Sequence, residues 1–276
     1  MDGAMRKTRG RPRGAGGEAG SVQTLERALS LLSLLSRSEK ATLTELALRA
    51  GVPPSSAHRL LTTLQAARYV EFDEPTGEWS VGVEAFRAGA AFLRRTRVAE
   101  AGREAMRALV EQTGESANLA VPDGPEVVFV GQVETAQPVR AFFAPGMRAH
   151  MHASGIGKAL LAAMGRPAAE RLLLKSGLPE FTPKTLTSPQ ALFDDLESIR
   201  ARGWSLDDEE RYLGMRCVAA PVWNHHGEAV AGVSISGPAA RLSPEATAEF
   251  GPVVRRAAAS ITERIGGAPP ATGWGG

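Results

Sequence analysis

Residues 42–69 read TLTELALRAGVPPSSAHRLLTTLQAARY, a sequence patterned as two short helices joined by a tight turn. Thr42 and Glu45 have the Thr-x-x-Glu spacing of a capping box, in which each side chain satisfies a backbone donor at a helix start. Leu43, Leu46, Ala47 and Ala50 follow at helical spacing, and Gly51 with Pro53-Pro54 ends the element. The next helix opens near Ser55. Its stripe of Ala57, Leu60, Leu61 and Leu64 leaves Ser55, Arg59 and Thr62 on the opposite face, with His58 at the edge. Hydroxyls and an arginine on the outer face of a second helix are what a DNA major groove accepts. An ordinary helical hairpin has the same periodicity.

The neighbouring sequence favours the DNA module. Val22, Leu25, Ala28, Leu29, Leu32 and Leu35 make a third amphipathic helix, enough to close a small core with the other two. Downstream, residues 69–73 and 78–81 read as two strands around the turn Pro75-Thr76-Gly77. Three helices and a hairpin predict a winged helix over 21–83. Charge is placed to match: residues 1–70 hold 11 Lys/Arg against 5 Asp/Glu, whereas the whole chain carries only +2. A basic end on a mildly acidic remainder points to phosphate contact. Within a basic tail over 1–20, Arg9-Gly10-Arg11-Pro12-Arg13 resembles an AT-hook. There a glycine lets the backbone sink into a narrow minor groove while flanking arginines, Arg9 and Arg11 foremost, meet its negative potential. A solubilising arm is the other reading, and residues 14–20 read as a flexible tether.

At 276 residues and 43% hydrophobic content the chain is long enough for two domains with a core each. It has no run of about 18 apolar residues and no hydrophobic segment after its charged start, so the expected compartment is cytoplasmic, away from membranes. One cysteine, Cys217, excludes an internal disulfide framework and multi-cysteine zinc motifs. Residues 84–112, rich in Ala, Arg and Glu without proline, predict one long linker helix or two in tandem. From 113 to 266 short β-rich runs (117–121, 126–133, 138–143, 217–223, 229–236) alternate with helical stretches at 155–164, 189–201 and 244–265. This order predicts an α+β domain on a largely antiparallel sheet. Residues 267–276 are expected to be a flexible tail.

Two segments of that domain have possible chemistry. In His150-Met-His-Ala-Ser-Gly-Ile-Gly-Lys158 small residues run into a helix start, whose free backbone donors can hold a small anion. The P-loop pattern fails at His152 and Ala159, and the dinucleotide fingerprint fails at Leu160. Glycines that merely allow close packing are the alternative. The second segment, 205–236, has Cys217 on one strand and Ser234 and Ser236 on the next. Serines two apart point to one face, so both hydroxyls can enter one pocket, with Asp207 as a further acceptor. A Cys217 nucleophile with His150, His152, His225 or His226 as base lacks a family-independent spacing. His150 and His152 lack a clear third ligand for a metal, and His225-His226 precede Gly227 in an exposed hairpin turn. A cysteine-dependent small-molecule enzyme is the minor alternative to a non-enzymatic binding domain, and no cofactor is expected.

The order Ser21-Val-Gln-Thr-Leu-Glu-Arg-Ala, Ser55-Ser-Ala-His-Arg-Leu-Leu, His152-Ala-Ser-Gly-Ile-Gly-Lys-Ala, Asp207-Asp-Glu-Glu and Gly214-Met-Arg-Cys-Val-Ala-Ala-Pro-Val closely resembles the isocitrate lyase regulator (IclR) family of bacterial transcription factors. The resemblance covers about residues 21–264. It implies a winged helix-turn-helix, a linker helix and a GAF-like effector domain, assembled as homodimers or dimers of dimers on operator DNA. In the branch that responds to glyoxylate or pyruvate, it implies effector contacts from the Gly155 and Ile156 amides and from Asp207, Cys217, Ser234 and Ser236. Retention of that polar set favours a two- or three-carbon 2-oxoacid. Residues 140–147 and Phe92-Leu-Arg-Arg further resemble regulators of glyoxylate assimilation through hydroxyaspartate. For DNA the resemblance implies Ser55, Ser56, His58 and Arg59, and Thr62 shares their face. The family's Lys or Ser ahead of the serine pair is Pro54 here, which starts a helix but donates nothing to phosphate.

Overall fold

The computed structural model describes residues 22–271, 274 and 275, and the chain divides into two units between Ala88 and Gly89. The first unit has α1 (Gln23–Leu35), β1 (Ala41–Thr42), α2 (Leu43–Ala50), α3 (Pro54–Ala66), β2 (Val70–Asp73) and β3 (Glu78–Val81); α4 (Val83–Thr96) runs across the division. The Thr42–Glu45 capping box is formed, and Gly51 ends α2 at φ 63°, a left-handed conformation that suits glycine. Pro54 opens α3 at a position where its missing N–H costs nothing. β3 pairs with both β1 and β2, so the wing is a three-stranded sheet with the two-residue β1 at its edge. Trp79 is buried there, with Phe72 against its ring.

Helix α1 departs from the expected stripe. Leu31 and Leu35 enter the core, with Leu32 packed beside them, while Val22, Leu25 and Leu29 stay exposed. Of the expected stripe Leu32 and Leu35 pack as read, but the apolar arc of α1 is wider than the face that α2 and α3 cover, and Leu31 enters the core in place of Val22, Leu25 and Leu29.

The second unit holds α5 (Val98–Thr113), β4 (Ser116–Asp123), β5 (Glu126–Val133), β6 (Arg148–His150), a single 3-10 turn (Met151–Ala153), α6 (Gly155–Ala163), α7 (Arg166–Ser176), α8 (Pro189–Arg202), β7 (Ser205–Asp208), β8 (Met215–Trp223), β9 (Ala229–Pro238) and α9 (Pro244–Arg264). The predicted 84–112 helix is therefore two, broken at Arg97, whose φ of 52° no α-helix continues through. Strand order is β6-β5-β4-β9-β8-β7, every neighbouring pair antiparallel. The strands alternate between two faces, with irregularities at Leu119/Ala120 and Val222/Trp223. Leu119, Val218, Val233 and Ile235 face a core built with α5 and α9, while Ala120, Phe129 and Ala219 face α6, α7 and α8. A sheet covered on both sides needs apolar residues on both, so the polar positions on the α6 side stand out.

Three local expectations are corrected. Residues 138–143 form no strand: β6 pairs along β5 from Glu126 to Val128, and the Phe129 N–H and carbonyl are taken by Met147 and Gly146. The 138–143 segment is held by side chains instead, with Arg140 on Glu134 at 2.6 Å and Phe143 stacked on Phe129. Helix α7 was not among the expected helices; its Pro167 lies in the first turn, where proline is tolerated. The described residues of the expected flexible tail are docked. Ala268 N–H bonds the Asn224 carbonyl at 3.2 Å and Gly275 N–H the Arg200 carbonyl at 3.0 Å, and Trp274 meets Trp223 edge-on at 5.3 Å. An apolar indole gains by burial, and polarity patterns do not show where it lands.

Candidate functional site

The polar residues on the α6 side of the sheet fall into two cross-strand rows. Asp207 pairs with Cys217, Cys217 with Ser236 and Ser236 with Ser116. One step along, Ser205 pairs with Ala219, Ala219 with Ser234, Ser234 with Asn118 and Asn118 with Gln132. The start of α6 lies over these rows. A Cβ on Gly155 would sit 2.7 Å from Cys217 Sγ, and the Ser205 hydroxyl donates to the Gly155 carbonyl at 2.6 Å. Ser154 caps the helix by accepting the Gly157 N–H at 3.1 Å, and its carbonyl takes the Lys158 N–H. Gly155 and Ile156 are the first two helical residues, so their N–H groups have no partner inside the helix. The Gly155 N–H is directed at the Cys217 sulfur.

The structure thus brings together all six effector positions expected from sequence, Gly155, Ile156, Asp207, Cys217, Ser234 and Ser236, and buries every one. Their hydrogen bonding is incomplete. Ser236 accepts from Asn118 Nδ2 at 3.2 Å, and Asn118 accepts from Gln132 Nε2 at 3.0 Å. The Ser234 hydroxyl is fully buried and, beyond its place beside the Cys217 thiol, has no hydrogen-bond partner. An unsatisfied buried hydroxyl costs about 1–3 kcal/mol, which the fold tolerates where a polar ligand is to complete the set.

Asn118, Gln132, Ser116 and Ser205 escaped the sequence reading. The signal was present: Ser116 and Asn118 alternate with Ala117 and Leu119 in a strand that otherwise reads as core. Only strand order shows that they join the row of Ser234 and Ser236.

Charge around the site is concentrated behind α6. Lys158, 1% exposed, points its ammonium at Asp195 Oδ2 (2.7 Å) and Glu210 Oε1 (2.5 Å). Burial would pull the Lys158 pKa down, but the two carboxylates outweigh it and hold the ammonium charged. Burial pushes the Asp207 carboxyl up to about 6, against the pull of Lys158 and of the Glu210 and Arg211 N–H groups. Burial likewise pushes Glu210 to about 7, with Asp207 adding to the rise. Burial opposes the charge of Asp207 and Glu210 while their nearness holds the proton on Lys158, which reconciles a raised lysine with raised acids. Burial, then the charge of Asp207, lifts the Cys217 thiol to about 11. It stays a neutral thiol near pH 7, unlike an activated nucleophile.

The histidines do not assemble a base for it. His225 and His226 are exposed at the β8–β9 turn, at the opposite end of β8 from Cys217. His152 is buried against the Pro179 carbonyl, and that burial lowers its pKa. His150 and His152 stand edge to face, 5.9 Å between ring centroids. Among the described residues no group of three or more His, Cys, Asp or Glu could hold a metal, and no helix is long and apolar enough to cross a membrane.

In the first unit, Ser55, His58, Arg59 and Thr62 are exposed on α3 and Ser56 is half-buried. Ser56, His58, Arg59 and Thr62, but not Ser55, border a groove of about 540 Å³ that also takes in Thr24 and Arg27 of α1. Arg27 was not foreseen as part of this face. Thr62 donates to the His58 carbonyl at 2.9 Å, so its oxygen is left to accept. Arg9 and Arg11 lie outside the described residues.

Two family models match the chain. Residues 24–74 match the IclR helix-turn-helix domain, and residues 90–263 match the bacterial transcriptional regulator IclR C-terminal domain. The HTH-type transcriptional regulator BhcR of Paracoccus denitrificans is 48% identical over 261 residues, covering 93% of this chain and 94% of that protein. The transcriptional repressor IclR of Escherichia coli is 41% identical over 90% of this chain and 92% of its own length. The crystal structure of IclR from Thermotoga maritima superposes with a TM-score of 0.71 at 29% identity, covering 88% of this chain and 98% of that one. An N-terminal helix-turn-helix, a C-terminal α/β domain on an antiparallel sheet and these matches over nearly the whole length agree: the chain belongs to the IclR family of DNA-binding transcriptional regulators.

Proposed function

We propose that this regulator binds a small 2-oxoacid in its C-terminal domain, glyoxylate first and pyruvate second, and that the acid changes its hold on operator DNA. The observation that carries the reading is the buried, unpartnered Ser234 hydroxyl in the polar rows beneath the α6 start, whose first N–H groups have no partner inside the helix. A carboxylate fits the Gly155 and Ile156 amides, where the helix dipole favours negative charge. The 2-oxo group or its hydrate fits the hydroxyls of Ser234 and Ser236, with Asp207 as acceptor and Cys217 filling the floor. The rows are short and closely packed, which favours two or three carbons over an aromatic acid.

The domain scheme proposed with it is a basic tail (1–20), a DNA-binding domain (21–83), a linker (84–112), an effector domain (113–266) and a C-terminal segment (267–276). Ser55, Ser56, His58, Arg59 and Thr62 would face the major groove, Arg9 and Arg11 the minor groove. Assembly as a homodimer or dimer of dimers in the cytoplasm completes the proposal, with repression as its sign, as the name of the Escherichia coli relative has it.

Fluorescence anisotropy on DNA from upstream of the regulator's own and neighbouring genes tests this, at fixed salt because phosphate contacts depend on it. Affinity that moves with glyoxylate, and no longer moves after Ser234→Ala, is the expected result. Tight DNA binding indifferent to both acids would discard the ligand and its pocket.

A further inference from the structure

Resting on the oxoacid reading, we propose that Glu210, acting through Lys158 and Asp207, sets effector affinity by holding the proton that an anionic acid requires on entering. Glu210 belongs to none of the contacts assigned above. It lies on the loop between β7 and β8, 5% exposed, and its backbone N–H donates to Asp207 Oδ1 at 2.8 Å. Its Oε1 meets Lys158, and its Oε2 is buried with no partner at all. A buried carboxylate oxygen that nothing donates to is the natural seat of a proton.

Arg211, next in sequence to Glu210, lays its guanidinium over the Phe181 ring at 3.8 Å, and the other described charges come from α6, α8 and β7. Lys158 faces Glu210 from α6 and Asp195 from α8, with Arg202 3.8 Å from Asp195. Asp207, with Asp208 beside it and Cys217 across from it, faces Glu210 from β7. Among the described residues Lys158 is the cation paired with Glu210, and Asp195 already shares it. Adding a carboxylate at the α6 start, three residues from Lys158 and beside Asp207, brings a further negative charge to a group already short of positive charge. Binding is therefore favoured when Asp207 and Glu210 retain a proton between them, and by linkage the acid's arrival raises the cluster's hold on that proton. The oxoacid itself stays ionised throughout this range, so the titration belongs to the protein. Affinity must then fall as pH rises past neutrality, as Glu210 loses its proton in the free protein.

The test is isothermal titration calorimetry of glyoxylate into the full chain, near pH 6.5 and near pH 8, in two buffers of different ionisation enthalpy. The wild type is expected to take up a fraction of a proton on binding and to bind roughly three- to tenfold more weakly at the higher pH. Glu210→Gln keeps an acceptor for Lys158 but is neutral at every pH. It is expected to lose the pH dependence and to bind at pH 8 about as tightly as the wild type does at 6.5, a gain that a merely structural role would not give. Equal wild-type affinity at both pH values, with heats independent of buffer, overturns the inference even if the variant does not fold. So does a Glu210→Gln protein that folds and retains the wild-type pH slope. Failure of glyoxylate and pyruvate to bind at either pH, by heat or thermal shift, overturns the oxoacid reading and this inference with it.

Discussion

The hydroxyl of Ser205, on the edge strand β7, donates to the carbonyl of Gly155 at 2.6 Å and so ties the first residue of α6 to the sheet. Fifty residues separate the two in sequence, and the bond fixes where the helix's free amides sit above the polar rows. Ser205→Ala should cost about 1 kcal/mol of stability, the usual net worth of one such bond. It should also weaken glyoxylate binding severalfold by loosening the amides. Urea unfolding and calorimetry read the two effects separately, and an unchanged midpoint with unchanged affinity would show that the tie does not position the helix.

Ser234 and Ser236 share a face but should respond oppositely to truncation. Ser234→Ala removes a buried hydroxyl without a partner and should leave stability unchanged or raise it by about 1 kcal/mol, while abolishing the response to oxoacids. Ser236→Ala strands the Asn118 amide that donates to it and should cost about 1–3 kcal/mol. Thermal denaturation of the two variants side by side decides this; a loss at position 234 as large as at 236 would contradict the assignment of its hydroxyl as unpaired.

Two glycines of the α6 start should differ in whether they can be rescued. A Cβ at Gly155 meets Cys217 Sγ at 2.7 Å and the Cys217 carbonyl at 3.2 Å, whereas at Gly157 it collides with the Met151 Cα and carbonyl and with the Ser154 hydroxyl. Overpacking of this kind typically costs about 1–3 kcal/mol, and Gly157→Ala belongs at the upper end because backbone cannot step aside. Adding Cys217→Ala should recover part of the Gly155→Ala loss and none of the Gly157→Ala loss. A double-mutant cycle on unfolding midpoints measures it.

On the DNA side, Arg59→Ala should cost about 1–3 kcal/mol and relax preference at one base position if the guanidinium reads a guanine. Arg27, on α1 at the groove's border, suits phosphate. Its loss should weaken all sequences alike and reduce the salt slope by about 1. Anisotropy titrations over a range of salt, on operator and scrambled duplexes, separate the two patterns; a uniform loss for Arg59→Ala would reassign it to the backbone.

The sequence by itself determined most of the architecture. Thr42, Glu45, Gly51 and Pro54 dictate the helix-turn-helix through short-range backbone chemistry, and short β-rich runs mark β4, β5, β8 and β9. It also placed Ser234 and Ser236 on one face, because that spacing is a local property of any strand. What only the tertiary structure decided depends on contacts between distant residues. Whether Val22, Leu25 and Leu29 or Leu31 join Leu32 and Leu35 at the core depends on which side of α1 the other helices cover. The 138–143 segment is no strand because β6 takes the edge of β5, and Trp274 is docked because Trp223 is there to receive it. Asn118 and Gln132 join the candidate site because β4 lies between β5 and β9. Glu210 is short of positive charge because Asp195, from another helix, shares its lysine. Local patterns encode the direction of a side chain, but what it meets there is set by strand order and helix packing, which no short stretch of sequence contains.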